Sequence, residues 1–290
     1  MPRTIDEGFR DFFTRLTPTG AESEAATRHR ASIKTCLENN FGLKRFARIG
    51  SYGNGTSISG YSDVDYLACF PTDQLTQSST YTLQKIRNVL DVRFPNTGVR
   101  VNCPAIAVPF GTVATATTEV VPADYIKVED GFHVYEIADC AGAWKRVSPD
   151  AHNAYVRHVD EKLGGKVKPL IRFIKAWKYF RDVPISSFYL ELRVAKYALG
   201  EKTIIYEIDV RNILRELFDC KLARMQDPMG VSGYISACST DAKHEDAMSK
   251  LERAHIRAEK AREASVQEKI KEAFDWWDLV YANQFPTYYR

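Results

Sequence analysis

Gly50-Ser51-Tyr52-Gly53-Asn54-Gly55-Thr56, followed three residues later by Gly60-Tyr61-Ser62-Asp63-Val64-Asp65, decides how the rest of the chain is read. Four glycines in eleven positions let the backbone turn tightly and bring amide N–H groups close to an anion, and Ser51 adds a hydroxyl donor. A triphosphate is the anion such a loop suits. The stretch lacks the GK[ST] of a Walker A loop, which disfavours a P-loop NTPase. Asp63 and Asp65 open a strand-like run to Phe70, and a period of two sends both carboxylates to one face. Two hard oxygen ligands side by side suit a pair of Mg²⁺ ions, which in phosphoryl-transfer sites sit about 3.5 to 4 Å apart. A third carboxylate on a neighbouring strand normally completes such a cage. Glu119 is the candidate, because Thr115, Thr117, Glu119 and Val121 alternate along a run from Thr112 to Val121 where a charge is otherwise unwelcome. Taken alone, a glycine-rich loop is more often a mobile turn, an Asp-x-Asp pair a surface feature, and Glu119 a solvent-facing edge residue. At this spacing, ahead of a strand, the loop and the pair read as one catalytic unit.

Outward from that unit, the chain changes character once. Ile5 to Phe41 is helical in pattern, with Phe9, Phe12, Phe13 and Leu16 on one stripe, Ile33, Leu37 and Phe41 on another, and a break at Thr17-Pro18-Thr19-Gly20. Strand-like runs occupy Val99 to Val108 and Thr112 to Val121, so the first half reads as a mixed sheet carrying helices. From Asp150 the period becomes 3.6. Leu170, Phe173, Ile174 and Trp177 mark an apolar face behind Pro169, with Lys168, Arg172 and Lys175 opposite, a pattern that ordinarily means a solvated face. Further helices are expected from Ser186 or Ser187, over Asp209 to Phe218, and over Asp241 to about Ala282, where the apolar stripe weakens around Ala264. The expected fold class is α+β: residues 1–150 as a sheet-bearing core with N-terminal helices and 151–290 as a helical lobe.

The bulk numbers agree with a globular chain. Its 290 residues suit one large domain or two packed lobes, and 44% hydrophobic with 27% charged residues excludes a disordered or fibrous class. A net charge of +3 is too small to argue for nucleic-acid coating, so an anionic partner must be held locally. The six cysteines lie at least eighteen positions apart, without zinc-type spacing, and are expected to be ordinary buried thiols. The Met-Pro-Arg start soon turns acidic, with no leader pattern and no window apolar enough for a membrane span, so the cytoplasm is the expected compartment. Trp177 and Trp277 read as core, and Trp144 is left open.

Gly50-Ser51, then eleven residues, then Asp63-Val-Asp65 resembles the signature of polymerase-β-type nucleotidyltransferases. The fuller pattern is similar to the cGAS/DncV-like nucleotidyltransferases of bacterial anti-phage (CBASS) systems: Gly-Ser-Tyr-Gly-Asn-Gly-Thr, Ser-Asp-Val-Asp, Glu119-Val-Val-Pro122-Ala123, Lys175-Ala-Trp177, Ser186-Ser187-Phe-Tyr-Leu-Glu191, and the Trp276 to Pro286 region. The resemblance implies a polymerase-β-like core packed on a C-terminal helical lobe. It implies that Asp63, Asp65 and Glu119 bind two Mg²⁺ ions, for which Mn²⁺ can substitute. It also implies that Gly50, Ser51, Lys175 and Ser187 hold the donor triphosphate. Several relatives carry Asp where Glu119 stands, which leaves Asp124 and Asp139 as fallback ligands. The implied reaction joins nucleoside triphosphates, ATP or GTP foremost, into a cyclic di- or trinucleotide that activates an effector protein. The alternatives are transfer to an RNA end, a small molecule or a protein, and a non-catalytic nucleotide sensor. No basic, aromatic-interleaved patch favours strong nucleic-acid binding.

Overall fold

The computed structural model describes residues 3–111 and 116–289. The chain runs α1 (Ile5–Leu16), α2 (Gly20–Arg28), α3 (Arg30–Phe41), β1 (Arg45–Arg48), α4 (Gly50–Asn54), β2 (Val64–Phe70), α5 (Ser79–Arg93), β3 (Arg100–Asn102), β4 (Ala105–Pro109), β5 (Thr117–Glu129), β6 (Phe132–Ala138) and β7 (Trp144–Val147). It continues through α6 (Pro149–Lys162), α7 (Val167–Phe180), α8 (Ser187–Leu199), α9 (Tyr206–Asp219), β8 (Met225–Gln226), β9 (Tyr234–Ile235), α10 (Asp241–Val266) and α11 (Ile270–Val280). Two compact units result, one of residues 18–154 with 229–232, the other of 1–17, 155–228 and 233–290. Helix α1 thus belongs with the helical unit, although its sequence position suggested the core: Phe9 and Phe12 are fully buried against Phe173, Trp277 and Tyr281, which lie far along the chain.

Residue chemistry accounts for the local starts and stops. Thr4 with Glu7 and Thr19 with Glu22 form capping boxes that open α1 and α2, each satisfying orphan N–H groups of a first turn. Gly42 ends α3 at φ +66°, and Ser186 caps α8, so Ser187 is its first helical residue. The long C-terminal helical pattern breaks between Val266 and Ile270, with Glu268 at φ +60°. The weak stripe there is alanine: Ala247, Ala254, Ala258, Ala261 and Ala264 are all buried on α10.

In the sheet unit the strand order is β1-β2-β5-β4-β3, with β6 pairing β5 on both sides of a register shift at Tyr125/Lys127, and β7 pairing β6. Among the described residues only the β2–β5 pair is parallel. Val64, Tyr66, Ala68 and Phe70 of β2 face a core built with Ile33 and Leu37 of α3 and Leu83, Ile86 and Leu90 of α5. Each large aliphatic or phenylalanine side chain among them contributes roughly 1.5–3 kcal/mol by leaving water. Leu67 and Cys69 face the opposite side with Val121, Ala123 and Tyr135. Asp65 shares that second side by the period of two. The strand expected over Thr112 to Val121 is described from Thr117; Thr112 to Thr115 lie outside the described residues.

Two expectations are corrected. Cys103 and Cys140 form a disulfide, 37 positions apart in sequence but with Cα atoms 5.7 Å apart, because the sheet brings the β3–β4 and β6–β7 turns together. The remaining thiols are those of Cys36, Cys69, Cys220 and Cys238. On α7, the face of Lys168, Arg172 and Lys175 is not solvated: Arg172 is 9% and Lys175 0% exposed, and the helix is packed nearly all round. Trp177 and Trp277 are core residues, and the Trp144 indole donates to the carbonyls of Thr76 and Gln77.

Candidate active site: three carboxylates under a glycine loop

The loop between β1 and β2 begins with α4, whose first-turn N–H groups, as in any helix, lack intrahelical acceptors. Gly50 stands at φ +59°, and a Cβ there would lie 1.9 Å from Oδ2 of Asp65. The position therefore demands glycine twice, once for backbone and once for space. Gly53 passes the backbone closely too: its Cβ would sit 3.0 Å from the Arg48 carbonyl oxygen. The Ile49 N–H donates to the Asp65 carbonyl at 2.9 Å, fixing the loop's start to the strand that carries the carboxylate. Past the helix, the Ile58 N–H donates to Ser62 Oγ at 2.9 Å and closes the turn that delivers Asp63.

Parallel pairing sets Asp65 opposite Glu119 in register, so the third carboxylate comes from the neighbouring strand. One oxygen each of Asp63, Asp65 and Glu119 lies within 4.8 Å of the others, all three residues being partly buried. Among the described residues this is the one such cluster of metal-ligating side chains. Glu119 accepts a hydrogen bond from Asn102 Nδ2 at 2.6 Å. Its carboxyl is pushed up from 4.5 to about 7, first by burial and then by the Asp63 charge, while Asn102 and Arg100 act in the opposite sense. Like charges this close repel, and a divalent cation would relieve the repulsion. The donor set is all oxygen, which fits a hard cation of the Mg²⁺ or Mn²⁺ kind.

The profile of the family described as "Second Messenger Oligonucleotide or Dinucleotide Synthetase domain" (SMODS) matches residues 3–159, more than half of the chain. The chain belongs to this family. A probable cyclic nucleotide synthase of Bacillus cereus (strain VD146) is 25% identical over 256 residues, covering 81% of this chain and 75% of the relative. The structure of Escherichia coli MS115-1 CdnC with ATP superposes on the SMODS chain with a TM-score of 0.74 at 17% identity, covering 97% of this chain and 98% of that one. Vibrio cholerae DncV cyclic AMP-GMP synthase, in complex with the linear intermediate 5′ pppA(3′,5′)pG, does so with a TM-score of 0.64 at 14% identity, covering 98% and 88%. The fold is that of the cGAS/DncV-like nucleotidyltransferases, α+β with a mixed sheet and helices.

The fallback ligands of the SMODS chain are engaged elsewhere. Asp124 accepts from Thr72 Oγ1 at 2.9 Å, and Asp139 Oδ1 accepts the Ala141 and Ala143 N–H groups at 2.7 and 2.9 Å. Lys175 and Ser187 belong to the helical unit. The Lys175 ammonium donates to Glu191 Oε1 at 2.7 Å, and Ser187 Oγ accepts from Lys178 Nζ at 2.7 Å. Two residues escaped the sequence reading. Glu22 accepts from Ser59 Oγ at 2.9 Å and from the Gly60 N–H at 2.8 Å, clamping the loop before Asp63 from the start of α2. Its capping-box spacing after Thr19 is visible in sequence, but its link to a loop 37 residues on is not. Asn102 carried no signal at all.

Proposed function

We propose that this SMODS chain condenses nucleoside triphosphates into a cyclic di- or trinucleotide second messenger, with release of pyrophosphate, in anti-phage signalling. The observation that carries the reading is the convergence of Asp63, Asp65 and Glu119 beside a glycine turn that only glycine can make at position 50. The three carboxylates are the residues to hold two divalent cations, Mg²⁺ or in its place Mn²⁺. Such ions, when bound, supply charge neutralisation at the reacting phosphate and acidify the attacking hydroxyl. The protein's own share is positioning. Gly50 and Ser51 present amide and hydroxyl donors to the donor triphosphate, and Ser187 is assigned to the same triphosphate by resemblance; the Lys175 ammonium, fully buried on Glu191, does not reach solvent. The 3′ or 2′ hydroxyl of one nucleotide forms a bond to the α-phosphorus of the second as the bond to the β-phosphate oxygen breaks. A second turnover on the linear product closes the ring.

The relatives support this reading through what they bind: CdnC with ATP, and DncV with a linear dinucleotide. No helix of the described residues is long and apolar enough to cross a membrane, and the cytoplasm is the proposed compartment, where the product would reach an effector protein. The test is incubation of purified protein with ATP, GTP, CTP and UTP plus Mg²⁺ or Mn²⁺, followed by phosphatase and mass spectrometry. A phosphatase-resistant cyclic product that disappears in Asp63→Ala/Asp65→Ala is expected. Unchanged product from a folded double variant would end the assignment of the carboxylates.

A further inference from the structure

Strand β3 is three residues long, exposed at every position, and paired on one side only. A strand of that kind frays unless something ties it down. Yet it supplies the hydrogen bond that orients Glu119. Arg100 and Asn102 share a face of β3 by the period of two, and the strand between them and β5 offers Ala105 and Ala107 in register with Asn102 and Arg100. Ala107 in turn lies opposite Glu119. Those methyl groups leave the path across β4 open, which is how an asparagine two strands away reaches the carboxylate at 2.6 Å.

The tie is the next residue. Cys103 follows Asn102 directly and is bonded to Cys140. The turn holding Cys140 is itself well fixed: Asp139 accepts the Ala141 and Ala143 N–H groups, the Asp139 N–H donates to the Ala143 carbonyl at 3.1 Å, and the Ser79 N–H donates to the Gly142 carbonyl at 3.0 Å. The disulfide therefore anchors an exposed edge strand to a turn that is pinned to the start of α5.

We propose that Asn102 is a positioning residue for the acidic triad, orienting Glu119 for metal, and that in the oxidised protein the Cys103–Cys140 disulfide holds the strand that presents it. The inference rests on the reading of Glu119 as a metal ligand. Partners of this kind, one shell out from a ligand, fix its orientation, and their loss typically weakens metal affinity or activity 10- to 100-fold. Asn102→Leu keeps the branched side-chain shape and removes the donor, while Asn102→Gln keeps the amide on a longer stem. At an exposed position neither substitution should move the thermal midpoint of the metal-free protein appreciably.

The experiment is Mn²⁺ binding to the nucleotide-free full chain, followed by electron paramagnetic resonance at fixed pH, beside the Mn²⁺ dependence of turnover. Asn102→Leu is expected to bind Mn²⁺ about 10- to 100-fold more weakly with an unchanged thermal midpoint, and Asn102→Gln to recover part of the loss. Cys103→Ser/Cys140→Ser is expected to weaken Mn²⁺ binding as well, and to add little on top of Asn102→Leu, because both act through one hydrogen bond. Native Mn²⁺ affinity in Asn102→Leu, alongside lost affinity in Glu119→Gln, would overturn the proposal and leave the metal site standing. Native affinity in Glu119→Gln would remove both. Full additivity of the cysteine and asparagine variants would overturn the anchoring role of the disulfide.

Discussion

Gly50→Ala is the sharpest perturbation the site offers. The new methyl would lie 1.9 Å from Asp65 Oδ2, 2.7 Å from its Cγ and 3.1 Å from its Cβ. Ordinary non-bonded contact begins near about 3.5 Å, so either the loop or the Asp65 carboxylate must move by about 1.5 Å. The backbone adds its own penalty, since an alanine in the left-handed region costs roughly 1–2 kcal/mol and overpacking roughly 1–3 kcal/mol. A total stability loss of about 2–5 kcal/mol follows, visible as a lower urea midpoint. Activity should suffer more, because misplacing a reacting group by about 1 Å can cost about 100-fold in rate. The control is Gly131→Ala, in the β5–β6 turn at φ +82° with nothing within 4 Å of the added Cβ. It carries the backbone penalty without the collision. Cyclic product formed from triphosphates, followed by chromatography, should fall at least about 100-fold in Gly50→Ala and stay within a few-fold of native in Gly131→Ala. Equal activities in the two variants, both folded, would refute the claim that the close approach of loop and carboxylate builds the site.

Two further outcomes follow from charge. Glu119 titrates near 7 in the folded, metal-free protein against 4.5 ordinarily, so between those values the folded state holds a proton that the unfolded state has lost. Stability of the metal-free protein should therefore fall as pH rises from 4.5 to 7, by up to about 3 kcal/mol. Calorimetry should show Mn²⁺ displacing about one proton at pH 6 and almost none at pH 8, with affinity rising up to about pH 7; affinity flat across that range would refute it. In the helical unit, Lys175→Met removes a fully buried ammonium 2.7 Å from Glu191 and should destabilise by roughly 3–5 kcal/mol, whereas Lys175→Met/Glu191→Leu should recover most of that. Urea unfolding of these two variants and of Glu191→Leu alone checks it, and additive losses would show that the pair is not coupled.

How much of this could be read beforehand depended on the range of the interaction. The loop, the Asp63/Asp65 pair and the strand behind them are local, set by glycine freedom and a period of two, and the sequence alone places them. Glu119 was legible as a charge in an apolar strand, and parallel register then sets it opposite Asp65. Arg172 and Lys175 misled, because a polar stripe on a helix looks solvated until a second layer of helices is known to cover it; Glu191, sixteen residues away, supplies the partner for Lys175. The disulfide and the Asn102 bond were invisible for a related reason. Both join segments whose proximity exists only after β3, β4, β5 and β6 have paired, and no spacing rule spans that.

The same pairing sets the surroundings of the longer carboxylate at position 119. Asp65, Glu119, Ala107 and Arg100 form one row across β2, β5, β4 and β3. A longer carboxylate has an additional rotatable bond, and that freedom must be restrained for the group to act as a fixed ligand. Alanine at 107 leaves room on one side of the glutamate, and Asn102, with Arg100 on the same face of β3, fills the role of restraint from that side. Aspartate at 119 would end too short to gain from Asn102, so the extra methylene and the anchored edge strand belong together. Glu119→Asp should accordingly be indifferent to Asn102→Leu in Mn²⁺ affinity, whereas Glu119 in the native chain is not.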